Sequence, residues 1–491
     1  MNRYIYIIIL SLLASEAEAQ SAVADAPRLV VNISIDQLRS DYLETYMPLF
    51  GKDGFRRLIA NGALYTSAEV PFVPVDRASA TAALITGSSP FYNGITSETW
   101  ISRKSLQPVS CTTEQSSLLT PRGDAPAPTN MLVSTIGDEL KISTKNASKV
   151  YSVAAAADAA VLLAGHNADC ALWVSSESGL WTTSTYYNKI TPSWVVTFNR
   201  ANTPSGKLKT MNSLFGGRSH YADYVKSPLV NSDITNMALM CVASEHLGYD
   251  QTPDLLNIQY TGAVTAIAGP KEVYQKLDDA IGRLVTTIEQ RIGTGKVLFV
   301  VSSTGYYDEE TIDYKPYMVP SGTVYINRTA NLLNMYLSAI YGQARYVEAF
   351  YDNQIYIDHK LVERKKVRLN EVLEKAREML ILSDGISDAH TTFSLADARD
   401  RHAQMLRSGS NTDVSGDIIL DIAPGWKVLN EETHRQQPWK KYGAYTPIII
   451  YGSGVKQKVV DTEVTIDRIA PTIANAIRIR APNASKVRAL R

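Results

Sequence analysis

Asp36 ends the apolar run LVVNISID, and Asp76, Arg77 and Ser79 open a stretch of small residues running on to Gly94, VPVDRASATAALITGSSPFYNG. A carboxylate at the end of a buried strand, and a hydroxyl or acid where a helix begins, are what an α/β enzyme brings together at the carboxyl edge of its sheet. Groups of these types can do the chemistry of such a site. Arg77 does not suit that scheme, because a guanidinium keeps its proton at any usable pH and is no nucleophile. Ser79 could replace a lost nucleophile, but the sequence places no His base beside it. The simpler expectation is that Arg77 folds over the carboxylate of Asp36 or Asp76, neutralising the pocket by a hydrogen-bonded ion pair. Asp358-His359 looks like a metal pair but sits at the end of an extended segment and reads as surface chemistry. His166, His220, His246, His390 and His402 show no ligand spacing among themselves.

These residues need elements to hold them. Leu29–Asp36 reads as a buried strand, and Ala78 to Thr86 as a helix of small residues, able to approach a sheet closely and ended by Gly87. From Glu98 to about Gly248 the chain is polar and Ser/Thr-rich, with strand-like Lys149–His166 and Ala171–Ser176 inside it. A βαβ unit follows: a strand Asp254–Tyr260, a helix with Val273, Leu277, Ile281, Leu284 and Ile288 on one stripe, and a strand Val297–Ser303. The alternation breaks from 308 to 414, where an inserted subdomain is expected. It resumes at Asp417–Ala423 and continues through Thr446–Gly454 and Val464–Ile477. The pattern predicts an α/β fold, a doubly wound, mostly parallel sheet, with residues 27–307 and 415–491 forming the core and cap elaborations near 98–248.

With 491 residues and 45% apolar content the chain can bury a large core. Its 49 basic and 49 acidic residues cancel, so no net field selects nucleic acid, an anionic membrane or an acidic substrate, and recognition has to be local. Residues 1–19 carry Arg3, an apolar run of about ten residues and Ala17-Glu18-Ala19, the pattern of a signal peptide. An exported protein, periplasmic or extracellular and beginning near Gln20, is expected, with no stable transmembrane segment. The three cysteines, Cys111, Cys170 and Cys241, have no metal spacing and allow at most one disulfide.

Leu29 to Tyr42, the Val73–Gly94 stretch, GKDGFRRLIANGALY (Gly51 to Tyr65) and the closing VTIDRIAPTIANAI together resemble the alkaline phosphatase superfamily, in its type I phosphodiesterase/nucleotide pyrophosphatase branch. The likeness spans nearly the whole mature chain. It implies a core of alkaline phosphatase type carrying two divalent ions, usually zinc, and a Ser or Thr nucleophile, with hydrolysis of phosphoric mono- or diesters. At the matching positions the site is degenerate. Asp36 matches a metal ligand, and Arg77 occupies the nucleophile position. The Asp and His of the second metal fall on Gly262 and Ala266, and the Asp-His-Gly triplet falls on Thr304, Gly305 and Tyr306. His434 matches the last ligand, although Arg435 replaces the Gly after it. The Asn expected before Trp100 falls near Glu98, and the basic pair that would meet phosphate falls near Ala156 and Asp158. Asp36 and His434 would serve different ions, and zinc typically needs three protein ligands, so no metal or other cofactor is expected unless the resemblance is functional. Asp308, Glu309 and Glu310 follow the lost triplet and could rebuild a site for calcium or magnesium, or simply form a solvated acidic loop.

The sequence therefore suggests a pseudoenzyme, a binding or structural component that has kept the fold and works among other envelope or secreted proteins. Two alternatives stand beside it. One is a hydrolase with a metal site rebuilt from Asp36, Asp76, Ser79, His434 or the 308–310 carboxylates. The other is a receptor for a small anionic ligand that uses Arg77.

Overall fold

The structure is a computed structural model that describes residues 26–113, 126–201, 221–265, 268–306, 315–438 and 445–490. The expected signal peptide at 1–19 and the carboxylates 308–310 lie outside the described residues. β1 (Leu29–Asp36) is buried along its entire length, as befits a central parallel strand covered on both faces. Its side chains alternate between two layers. Leu29, Val31, Ile33 and Ile35 enter one apolar cluster, while Val30 enters a second on the opposite face. On that opposite face Asn32 Nδ2 donates to Asn257 Oδ1 at 2.9 Å, and Asn257 Nδ2 in turn donates to the Leu163 carbonyl at 2.9 Å.

The central sheet continues through β2 (Ala63–Glu69), β3 (Val150–Ala154), β4 (Cys170–Val174), β5 (Asp254–Thr261) and β6 (Val297–Ser303). β1 lies between β5 and β6 and is parallel to both; β3 and β4 extend the parallel run beyond β5. α1 (Arg77–Thr86) and α2 (Ala157–Ala164) cover one face. Every residue of α1 from Ala78 to Thr86 is buried, because small side chains let the helix lie close to the sheet. Gly87 ends it at φ +65°, its N–H returning to the Ala83 carbonyl at 2.9 Å, a left-handed cap that glycine accepts without strain. α3 (Pro270–Ile292) covers the other face with the predicted stripe of Val273, Leu277, Ile281, Leu284 and Ile288. Pro270 starts it at a position that needs no N–H.

Two expectations are corrected. Lys149–His166 is not one strand: β3 ends at Ala154 and α2 begins at Ala157. The alanine run can follow either period, and packing under the sheet decides for helix. The core also does not resume at 415. β7 (Gln354–Ile357), β8 (Ile386–Thr391) and β9 (Ile418–Ile422) belong to a separate antiparallel sheet, with α4 (Arg401–Gly409) beside it. The chain rejoins the central sheet only at β10 (Thr446–Gly452), which runs antiparallel between β2 and β6. An apolar run such as Ile418–Ile422 reads the same whichever sheet it enters, so periodicity could not reveal the boundary. The insert has its own apolar cluster, which includes Val324, Leu333, Ile355, Leu373 and Leu420. α5 (Ile469–Ala476), from the closing signature, packs Ile469, Ala470 and Ile473 against the α1 face of the main sheet. Among the described residues no helix is long and apolar enough to cross a membrane. Cys111, Cys170 and Cys241 are buried free thiols.

Candidate functional site

A cleft of about 740 Å³ opens over the carboxyl ends of β1 and β5 and the start of α1. Asp36, Asp76, Arg77, Glu98, Ala156, Gly262 and Tyr306 line it, with Asp352 and Arg435 contributed by the insert side. This is where an open α/β sheet binds its ligands.

Arg77 is the first residue of α1, and its guanidinium reaches across the cleft floor to α2. Nε donates to Asp158 Oδ2 at 3.0 Å, and Nη2 donates to Asp158 Oδ2 at 2.9 Å and Oδ1 at 3.2 Å. Glu98 Oε1 lies 2.9 Å from the same Nη2. The expected pairing with Asp36 or Asp76 is thus corrected. Asp158 and Glu98 take the guanidinium, because a planar fork on the first turn of α1 finds a bidentate carboxylate on the neighbouring helix. Burial works against the Arg77 charge, yet Asp158, Glu98 and Asp36 together hold its pKa well above the ordinary value. Glu98 is affected the opposite way: burial pushes its carboxyl up to about 7 against the pull of Arg77. The Glu98 side chain is 42% exposed and lines the cleft with Asp36 and Asp76, and the nearby charges of Asp158, Asp76 and Asp36 also raise its carboxyl.

Asp36 finds neutral partners. Thr304 Oγ1 donates to Asp36 Oδ1 at 3.0 Å, and the Tyr306 hydroxyl hydrogen-bonds the same carboxylate. Burial raises the Asp36 pKa, with Arg77 and these two hydroxyls opposing it. Thr304 and Tyr306 come from the segment that would carry the Asp-His-Gly triplet; here it offers O–H donors to Asp36 where the resemblance puts metal ligands. Gly262 donates its backbone N–H to the Asp36 carbonyl at 2.7 Å, and Gly305 turns away at φ +77° against Val70. Ala266 lies outside the described residues.

The remaining expected residues are scattered. Asp76 is the N-cap of α1: Oδ1 accepts from Ser79 N–H at 2.9 Å and from the Ser79 hydroxyl at 2.8 Å. The Ser79 hydroxyl is fully buried inside that capping box and does not line the cleft, so it is unsuited to attack. His434 is exposed and does not line the cleft. Its neighbour Arg435 does, bound to Asp352 at 2.7 and 3.0 Å with its guanidinium 4.5 Å from the Tyr351 ring centre. Asp358 caps a helix through the Leu361 N–H, while His359 turns to Asp417 at 2.8 Å, so the two do not converge on one ion. His166 is bound to Asp138 at 3.0 Å, and His246 meets the Tyr249 ring edge-to-face. His220 lies outside the described residues. His390 and His402, which share no ligand spacing in sequence, meet on Asp421. No sequence signal marks that cluster, since it depends on how two strands and a helix of the insert pack.

The profile of the type I phosphodiesterase/nucleotide pyrophosphatase family matches residues 30–444. The chain belongs to this family. A relative named calcium-transporting ATPase, from Myroides odoratus, is 28% identical over 96% of this chain and 95% of its own length. Alkaline phosphatase PafA from Elizabethkingia meningoseptica is 25% identical over 93% of this chain and 92% of its own. The solved structure of wild-type PafA superposes with a TM-score of 0.82 at 22% identity, covering 95% of this chain and 99% of that one, and shows the same fold. The mixed sheet and its covering helices are therefore of alkaline phosphatase type.

Proposed function

We propose that this protein is an exported member of the phosphodiesterase family that no longer hydrolyses phosphoesters and serves as a binding or structural component. The relatives named as a phosphatase and a calcium-transporting ATPase both imply work on phosphoryl groups, so loss of that chemistry needs a reason in this chain. One observation carries it: Arg77, at the start of α1 where attack would begin, is held by Asp158 and Glu98 across the cleft floor. A guanidinium locked between two carboxylates can neither attack phosphorus nor leave room for a cation beside it. Asp36, the retained acid, is satisfied by hydroxyls, and His434 stands outside the cleft. The receptor reading is weakened by the same contacts, since the charge of Arg77 is already matched and an incoming phosphate would meet Glu98 and Asp158. A rebuilt hydrolase is weakened because, among the described residues, no group of three metal-binding side chains gathers in the cleft.

Turnover of p-nitrophenyl phosphate and bis-p-nitrophenyl phosphate, with zinc, magnesium or calcium added, tests the reading. Rates at the level of buffer are expected. Turnover that EDTA abolishes and zinc restores would return the protein to the active members of its family.

A further inference from the structure

The cluster on Asp421 stands apart from the cleft, and none of its members lines that cavity. His390 lies on β8 and Asp421 on the adjacent antiparallel β9, while His402 is the second residue of α4. Their donor atoms converge. His390 Nε2 lies 3.0 Å and His402 Nε2 2.7 Å from Asp421 Oδ2, and all three ligand atoms fall within 4.8 Å of one another. Ligands at the about 2.0–2.2 Å bond lengths of tetrahedral zinc stand roughly 3.3 Å apart, so the two His–Asp421 separations would each need to widen by about half an ångström or less to reach that spacing. Asp421 and His390 retain only 13% and 14% of their side-chain exposure, and Asp421 Oδ1 is a buried oxygen with no hydrogen-bond partner. A carboxylate that faces two imidazoles and leaves one buried oxygen unsatisfied is short of a positive group. Asp388 Oδ2, 3.9 Å from His390 Nε2 on the outer side, is within reach as a fourth ligand.

We infer that His390, His402 and Asp421 form a binding site for a single zinc-class divalent ion, with the fourth position taken by water or Asp388. Two imidazole nitrogens and one carboxylate suit zinc and exclude calcium and magnesium, which take oxygen ligands. The ion would fasten α4 to the β8–β9 sheet. α4 in turn holds the loop before Arg77: the Met405 carbonyl accepts the Val73 N–H at 3.1 Å, and Leu406 and Ala403 pack with Val73 and Ile419. The role is that of a structural clasp, separate from phosphoester chemistry.

The test uses the full chain stripped with EDTA and then given zinc or cobalt(II). One equivalent of zinc is expected, with a rise in Tm and, for cobalt, the intense visible bands of a four-coordinate site. His402→Gln, at a 39% exposed helix start, keeps the fold and should lose affinity by more than the roughly 10- to 100-fold that removing an outer hydrogen-bond partner costs. Asp421→Asn should abolish the cobalt bands, and Arg77→Thr should leave both zinc stoichiometry and affinity unchanged. No binding of micromolar zinc by the native chain would overturn the inference. So would unchanged affinity in folded His402→Gln, which would place any ion elsewhere.

Discussion

At the scale of single residues, the proposed loss of activity turns on charges at the cleft floor. The guanidinium of Arg77 stands at the position the resemblance gives to the nucleophile, and Glu98 and Asp158 stand near those it gives to phosphate-binding groups. Replacing Arg77 by Thr should therefore not create activity, because Gly262, Thr304 and Gly305 supply no metal ligand. It should instead lower stability by about 2–3 kcal/mol, below the roughly 3–5 kcal/mol of a fully buried pair because Arg77 is 23% and Glu98 42% exposed. Thermal unfolding and diester hydrolysis measured on the same preparation check both halves; unchanged Tm with new EDTA-sensitive turnover is the contrary outcome. The make-up of the candidate site, with Arg77, Gly262 and Thr304 standing between the flanking phrases that carry the resemblance, was legible in the sequence. Its pairing was not. Asp36 and Asp158 are equally plausible carboxylates on paper, and only the crossing of α1 and α2 decides which one the guanidinium reaches.

Individual elements were read from the sequence very unequally. β1 and β6 were expected at the residues they occupy, because short, mostly apolar runs rich in Val and Ile mark strands buried on both faces. β9 was assigned to the wrong sheet, since its pattern carries no address. The phrase GKDGF carries a more specific instruction. Asp278, buried on α3, accepts the N–H groups of Gly51 and Phe55 at 2.7 Å each. A methyl group added at Gly54 would come within 2.1 Å of Asp278 Oδ1, whereas one at Gly51 would meet its nearest neighbour at 3.5 Å. Gly54→Ala should thus break both bonds and cost about 2–4 kcal/mol, while Gly51→Ala changes stability by less than about 1 kcal/mol. Urea midpoints of the two variants, measured side by side, test this; equal midpoints would mean that the Asp278 loop yields freely.

For the whole molecule, zero formal charge hides an uneven response to pH. Burial raises the carboxyls of Asp36 and Glu98, the latter from 4.5 to about 7, and hydrogen bonds to Asp138 and Asp417 raise His166 and His359 above 6.5. In each case the folded chain holds protons that the unfolded chain has released. Their combined contribution is full on the acid side and is lost as pH rises. The lowered carboxyls of Asp138 and Asp417 act in the opposite sense, but only as pH falls below about 4. Metal-free protein should accordingly melt highest near pH 4–5 and progressively lower toward pH 8, and Glu98→Gln should flatten that slope. A Tm that climbs from pH 5 to pH 8 would contradict the assignment. The junction of insert and core has a mechanical corollary. Gly409, the last residue of α4, lies so close to the Val73 carbonyl that a Cβ would stand 2.0 Å from it, which leaves no slack between the two backbones. Anything that grips the insert and shifts α4 must carry the strand-to-helix loop with it, so the outer face of the insert is a lever whose short arm ends at the floor of the cleft.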